Sequence, residues 1–158
     1  MKRALGLLFP IFLLACNPEP KPIRYGQDAC DYCRMVISDA RFGSEFVTKK
    51  GKVYKFDAIE CLAAFYLEKR IDPKESHSLW VTDFNRPKTL LKAEEARYLK
   101  AEHIQSPMGL GLLAFREEQS ALEAKERYGG KIFGWKEALD FVESAWLKQE
   151  KHGARPGE

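Results

Sequence analysis

Two stretches of this chain run through the same order of elements, strand, strand, helix, strand, and that repetition most constrains its fold. Residues 41–49 (RFGSEFVTK) and 52–57 (KVYKFD) are strand-like, and Lys50-Gly51 supplies a hairpin turn between them. Asp57 stands where a helix N-cap belongs, and Glu60 three residues later fits a capping box. The helix this opens spans 58–70, with Ile59, Leu62, Phe65 and Tyr66 on its apolar face. Asp72-Pro73 ends it, and 78–84 (SLWVTDF) alternates as a strand.

The order then recurs. Residues 97–104 and 111–116 are strand-like, and 117–128 is helical and closed by Gly129-Gly130. Residues 131–134 form a short strand. A last helix over 135–148 places Leu139, Val142 and Trp146 on one face. The expectation is an α+β fold of two small ββαβ halves, about 28–88 and 89–148, plus a C-terminal helix. The polar tail, 149–158, is expected to be mobile.

The N-terminus reads as an export signal. Lys2 and Arg3 precede an apolar stretch, 4–15, that is too short to span a bilayer. Leu13-Leu14-Ala15 before Cys16 matches the lipobox of bacterial lipoproteins, in which the cysteine is acylated and becomes the mature N-terminus. Pro18, Pro20 and Pro22 among polar residues make 16–27 an extended tether. Removing 15 of 158 residues leaves 143, enough for one compact domain. The net charge of +3 includes Lys2 and Arg3, the only charged side chains before Cys16, so the mature chain carries +1. That balance gives no electrostatic footprint for nucleic acid.

Of the 4 cysteines, Cys16 would carry lipid, which leaves Cys30, Cys33 and Cys61. An odd number cannot be a closed disulfide framework. Cys30-Asp31-Tyr32-Cys33-Arg34-Met35 packs two thiols and a thioether into six residues. Arg34 stands where haem attachment needs His, and no second ligand pair follows for structural zinc. A redox dithiol and a structural disulfide remain alternatives to metal ligation. Soft sulfur ligands favour Cu(I). On a strand, Cys33 and Met35 at i and i+2 would point the same way.

Met108 lies in Ser106-Pro107-Met108-Gly109, a sharp loop rather than an apolar face, which suits an adjustable ligand better than core filler. Cys61, early in a helix, is either an activated thiol or a buried structural cysteine. His103 is five residues from Met108 and is a reserve ligand. His77 and His152 have no ligand spacing, and Asp57 and Glu60 are explained as a capping pair.

The lipobox, the Cys30–Met35 cluster, Tyr54-Lys55-Phe56-Asp57 before Glu60-Cys61-Leu62, and Ser106-Pro107-Met108-Gly109 with Ala114-Phe115 together resemble the NosL family. The likeness runs from Cys16 to about Trp146. It implies a monomeric Cu(I) carrier that serves maturation of nitrous oxide reductase through an ABC-type membrane complex. It also implies ligation by Cys30, Cys33, Met35 and Met108, with Cys61 and His103 in reserve. Lipid on Cys16 would hold the protein at the periplasmic face of a membrane. Asn17 lacks the Asp that retains lipoproteins at an inner membrane, which favours the outer one. No catalytic residue is required, so no enzyme is expected. The rival is a tethered thiol–disulfide oxidoreductase using Cys30 and Cys33. An organomercurial-lyase-like enzyme using Cys61 and Asp57 would leave both methionines unexplained.

Overall fold

In the computed structural model, which describes residues 18–148, the hairpin is β1 (Ser44–Thr48) and β2 (Val53–Phe56). Their antiparallel register pairs Ser44 with Phe56 and Val47 with Val53. Residues 40–42 form a turn instead of extending the strand. The lipobox, Cys16 and the tail lie outside the described residues.

Helix α1 (Ile59–Leu67) follows, then β3 (Ser76–Thr82) and β4 (Leu90–Lys92). The first sheet has the order β2-β1-β3-β4 and is antiparallel throughout. β4 escaped the sequence pattern because three residues, LLK, carry no alternation to detect. It carries the first sheet past residue 88.

β5 (Arg97–Lys100), β6 (Leu112–Phe115), α2 (Glu118–Tyr128) and β7 (Lys131–Phe133) form the second unit, with sheet order β6-β5-β7. In both sheets the first strand lies between the second and third, so the repeated element order gives a repeated topology. The fold is α+β. The sheets meet where Asp83 bridges to Ala114 in parallel and Phe84 N–H donates to Ala114 O at 2.8 Å.

α1 departs from the one-faced helix expected. Every residue from Ile59 to Phe65 is buried, because α1 is wedged among β1, β2, β6 and α3 (Trp135–Val142). A helix buried on all sides, apolar but for Glu60, belongs in a core. Phe46, Phe56, Leu62, Phe65 and Val81 pack with it. The second core gathers Phe42, Phe84, Leu99, Leu113 and Phe115 under Ala121 and Ala124 of α2.

Gly129 and Gly130 end α2 at φ +66° and +104°. A Cβ on Gly130 would lie 1.9 Å from Lys100 O, so only glycine fits there. The chain continues past α3 as a π-helical turn, Glu143–Leu147. Trp146 in that turn meets the Tyr32 ring edge-on at 5.6 Å, so the C-terminal helical run reaches the sulfur-bearing segment.

Candidate metal centre

Cys30 to Arg34 is a tight turn, not the strand that would align Cys33 with Met35. Arg34 N–H donates to Cys30 O at 3.0 Å and Cys30 N–H to Met35 O at 2.8 Å. Arg34 adopts φ +68°, which reverses the chain, so the i, i+2 alignment does not hold. The turn is fastened to β2: Asp31 N–H donates to Lys55 O at 2.8 Å, and Asp31 Oδ2 accepts from Lys55 N–H at 2.7 Å. Lys55 Nζ also bonds Asp28 at 2.7 Å, and this holds the Asp28 carboxyl down at about 2. Tyr32 OH donates to Glu68 at 3.1 Å, near the end of α1.

This fastening brings the turn over the N-terminus of α1. One sulfur each from Cys30, Cys33 and Cys61 and a carboxylate oxygen of Asp57 lie within 4.8 Å of one another. The three cysteines are free thiols, so Cys30 and Cys33 form no disulfide. Metal–thiolate bonds of about 2.3 Å put two sulfurs on one ion no more than about 4.6 Å apart, close to the 4.8 Å within which the cluster's donors lie. Cys30, Cys61 and Asp57 are buried, and Cys33 is half-buried.

The thiols are not equivalent. The Cys61 thiol and the backbone N–H groups of Cys33, Asp57 and Tyr32 stabilise the Cys30 thiolate and pull its pKa to about 6, against the effect of burial. Burial pushes Cys33 up to about 11, and the charges of Cys30 and Asp57 add to this. Its thiol donates to Asp57 Oδ1 at 3.6 Å. Cys61, expected to be activated by the helix N-terminus, is shifted upward instead. It gives its hydrogen bond to Cys30, and it is buried. The arrangement thus favours the thiolate on Cys30, in a nest of donors, and the protonated thiol on Cys33 and Cys61.

Asp57 and Glu60 do not form the capping pair. The cap position is Ala58, with no side-chain bond. Asp57 joins the sulfurs. Glu60, fully buried, accepts a hydrogen bond from the Ser106 hydroxyl, which itself accepts from Gly111 N–H at 2.9 Å. Glu60 thereby braces the 106–111 loop, which carries Met108, against α1. Burial raises its carboxyl to about 7. The sequence signal for both acids was the same D-x-x-E spacing that suggested a cap, and only the adjacent Cys61 hinted otherwise.

Met35 is 47% exposed and lines a surface depression together with Ser106, Pro107 and the buried Asp57, so it stands at the rim nearest the cluster's carboxylate. Met108 is half-buried and packs against the main core, as Cys33 does. His103 is exposed, and its N–H donates to Tyr128 O at the end of α2. The structure does not bring it into the Cys/Asp cluster.

The NosL family model matches residues 23–140. The chain belongs to the NosL family. The crystal structure of the copper chaperone NosL from Shewanella denitrificans superposes with a TM-score of 0.67 at 22% identity, covering 77% of this chain and 96% of that one. At that identity the likeness speaks for the fold. No curated protein matches the sequence. This NosL-family chain therefore carries a Cys/Asp cluster with the donors and spacing to bind a metal ion.

Proposed function

We propose that this protein is a Cu(I) chaperone, tethered outside the cytoplasm, that passes copper to the maturation of nitrous oxide reductase by ligand exchange. The observation that carries it is the gathering of three thiols and Asp57 within 4.8 Å in a NosL-family chain. The name of the related Shewanella denitrificans protein, copper chaperone, supports copper as the cargo.

Charge selects the loaded state. Deprotonating all three thiols beside Asp57 would gather four negative charges, and Cu(I) neutralises only one. Cys30, already a thiolate, and one further thiolate are therefore the primary ligands. A weak thioether from Met108 or Met35 completes the set. Cys33, the more exposed thiol, faces the exchange. A partner's donor enters at the depression lined by the exposed Met35 and by Asp57, and one bond here lengthens as the new one forms. Chemistry of this kind needs no catalytic base, and the protein is not an enzyme.

Lipid on Cys16 would hold the domain at the periplasmic face of a membrane, the outer one where there are two. The receiving partner is the reductase's ABC-type membrane complex, and the free carrier is a monomer. The lipobox and the family support these assignments. The rival, a thiol–disulfide oxidoreductase, needs an accessible thiolate, whereas Cys30 is fully buried and the accessible Cys33 is the thiol that burial shifts upward.

The test is anaerobic Cu(I) titration of the reduced protein against a competing chelator, with zinc in parallel. Stoichiometric Cu(I) binding that is lost in Cys30→Ser/Cys33→Ser supports the proposal. Absence of competitive Cu(I) binding, with turnover in an insulin-reduction assay, would transfer the pair to redox chemistry.

A further inference from the structure

Residues 18–28 do not hang free of the domain. Lys21 N–H donates to Glu45 at 2.9 Å, Lys55 Nζ to Pro22 O at 2.8 Å, and Ile23 and Tyr25 pack against the core. This strap begins at one end of the β1–β2 hairpin. Pro18 and Lys21 share a surface depression there with Lys49, Lys50 and Gly51 of the hairpin turn. It ends at the other, where Cys30 turns over Asp57.

The covalent chain fixes the consequence. Only two residues of chain separate Cys16 from Pro18, which lines that depression, so the lipid attachment is short-leashed to this end. Lys21, Lys49, Lys50 and Lys52 are all exposed at this end. Glu19 lines the same depression, and Glu75 lies 3.4 Å from Lys50 Nζ in a solvent-exposed pair. The balance stays positive by two. β1 alone separates this end from Ser44, whose hydroxyl bonds Ala58 O beside the cluster. Four strand steps, Ser44 to Thr48, place Lys49 and the turn roughly 14 Å from the Ser44 end of β1, where the metal centre lies.

We propose that the β1–β2 turn, with Lys49, Lys50 and Lys52 beside the strap's start, is the surface that rests on anionic phospholipid. This holds the metal centre pointing away from the membrane. The proposal rests on lipidation at Cys16. Lysines near an anionic bilayer add attraction that a neutral bilayer lacks, and that attraction falls off within a Debye length. A lipid chain supplies attachment, and the lysines supply orientation.

The experiment uses the lipidated full-length protein on vesicles of phosphatidylcholine alone, or with about one-third phosphatidylglycerol. Co-flotation with neutral vesicles, lost in Cys16→Ser, reports the anchor. Amine acetylation read by mass spectrometry reports the face. On phosphatidylglycerol, Lys49, Lys50 and Lys52 should react about three- to tenfold more slowly than on phosphatidylcholine. Lys131, exposed on β7, should not change. Salt at about 0.5 M should restore the rate. Flotation with unchanged reactivity at these lysines, or with equal protection of Lys131, overturns the face and leaves the anchor standing. Failure to float with neutral vesicles removes the anchor and the face together.

Discussion

Cys33 Sγ lies 3.6 Å from Asp57 Oδ1, so the more exposed thiol of the cluster, which burial keeps protonated, donates to a buried carboxylate. The carboxylate is a hard donor among soft ones. It should add little to a Cu(I) site and more to a zinc site. Asp57→Asn keeps the size, removes the charge and retains an acceptor for the Cys33 thiol. Zinc affinity should fall by about tenfold and Cu(I) affinity by less than about threefold, widening the preference for copper. Parallel chelator titrations check this. Equal losses for the two metals would make Asp57 an ordinary ligand for both.

Copper binding should depend on pH in two regimes. Above about 6 Cys30 is already a thiolate, so taking two thiolates releases one proton. Affinity then rises about tenfold per pH unit. Below that value Cys30 must also lose its proton, and the slope should steepen toward about a hundredfold per unit. Chelator competition between pH 5 and 9 would show the break. A single slope through the whole range would mean that Cys30 is not the resting thiolate.

The sheets and α2 were legible because turn signals and alternation are local. Lys50-Gly51 and Gly129-Gly130 announce themselves in a few residues. β4 did not, since three residues carry no period. The site was half legible for the same reason. Cys30 and Cys33 declare each other by spacing, but Cys61 and Asp57 reach them only because Asp31 and Lys55 pair the turn to β2. That long-range pairing has no signature in the chain. The capping pattern at Asp57 and Glu60 misled because a helix N-terminus and a buried polar junction use the same residue types. Seven buried residues in a row in α1 override the local preference for a cap.

Glu45 gives a prediction for stability. It is fully buried on β1, with Lys21 N–H on one oxygen and no partner on the other. Burial raises its carboxyl from 4.5 to about 7. Between these values the native protein binds more protons than the unfolded chain. The favourable contribution is complete below about 4.5 and is lost as pH rises through about 7. At about 1.4 kcal/mol per pKa unit, the loss approaches about 3 kcal/mol. Glu45→Gln should flatten the fall in urea midpoint between pH 5 and 8 relative to the parent. Glu60 keeps its own share of the same sign. An unaltered difference across that range would show that Glu45 titrates normally.

Ser106 joins the two halves through Glu60 on one side and Gly111 N–H on the other. Ser106→Ala leaves a buried carboxylate and a buried amide without this partner. The cost should be about 1–3 kcal/mol, read as a drop of several degrees in thermal midpoint. Ser106→Thr, which keeps the hydroxyl, should recover most of it. A Ser106→Ala variant as stable as the parent would mean the loop is not braced there.

Met108 sits on the loop that this brace holds, half-buried against the same core as Cys33. Replacing it with Ile conserves volume, so folding should change by less than about 1.5 kcal/mol. The substitution removes one of the two thioethers, Met35 and Met108, proposed to complete the copper site. Cu(I) affinity should fall about tenfold, since a thioether is a weak, soft ligand beside two thiolates. Zinc, which gains little from a thioether, should be held as before. Copper transfer to an acceptor chelator should change together with the affinity. A Met108→Ile protein with the parent's Cu(I) affinity would take Met108 out of the site and leave Met35, at the open rim beside Asp57, as the methionine that meets the metal.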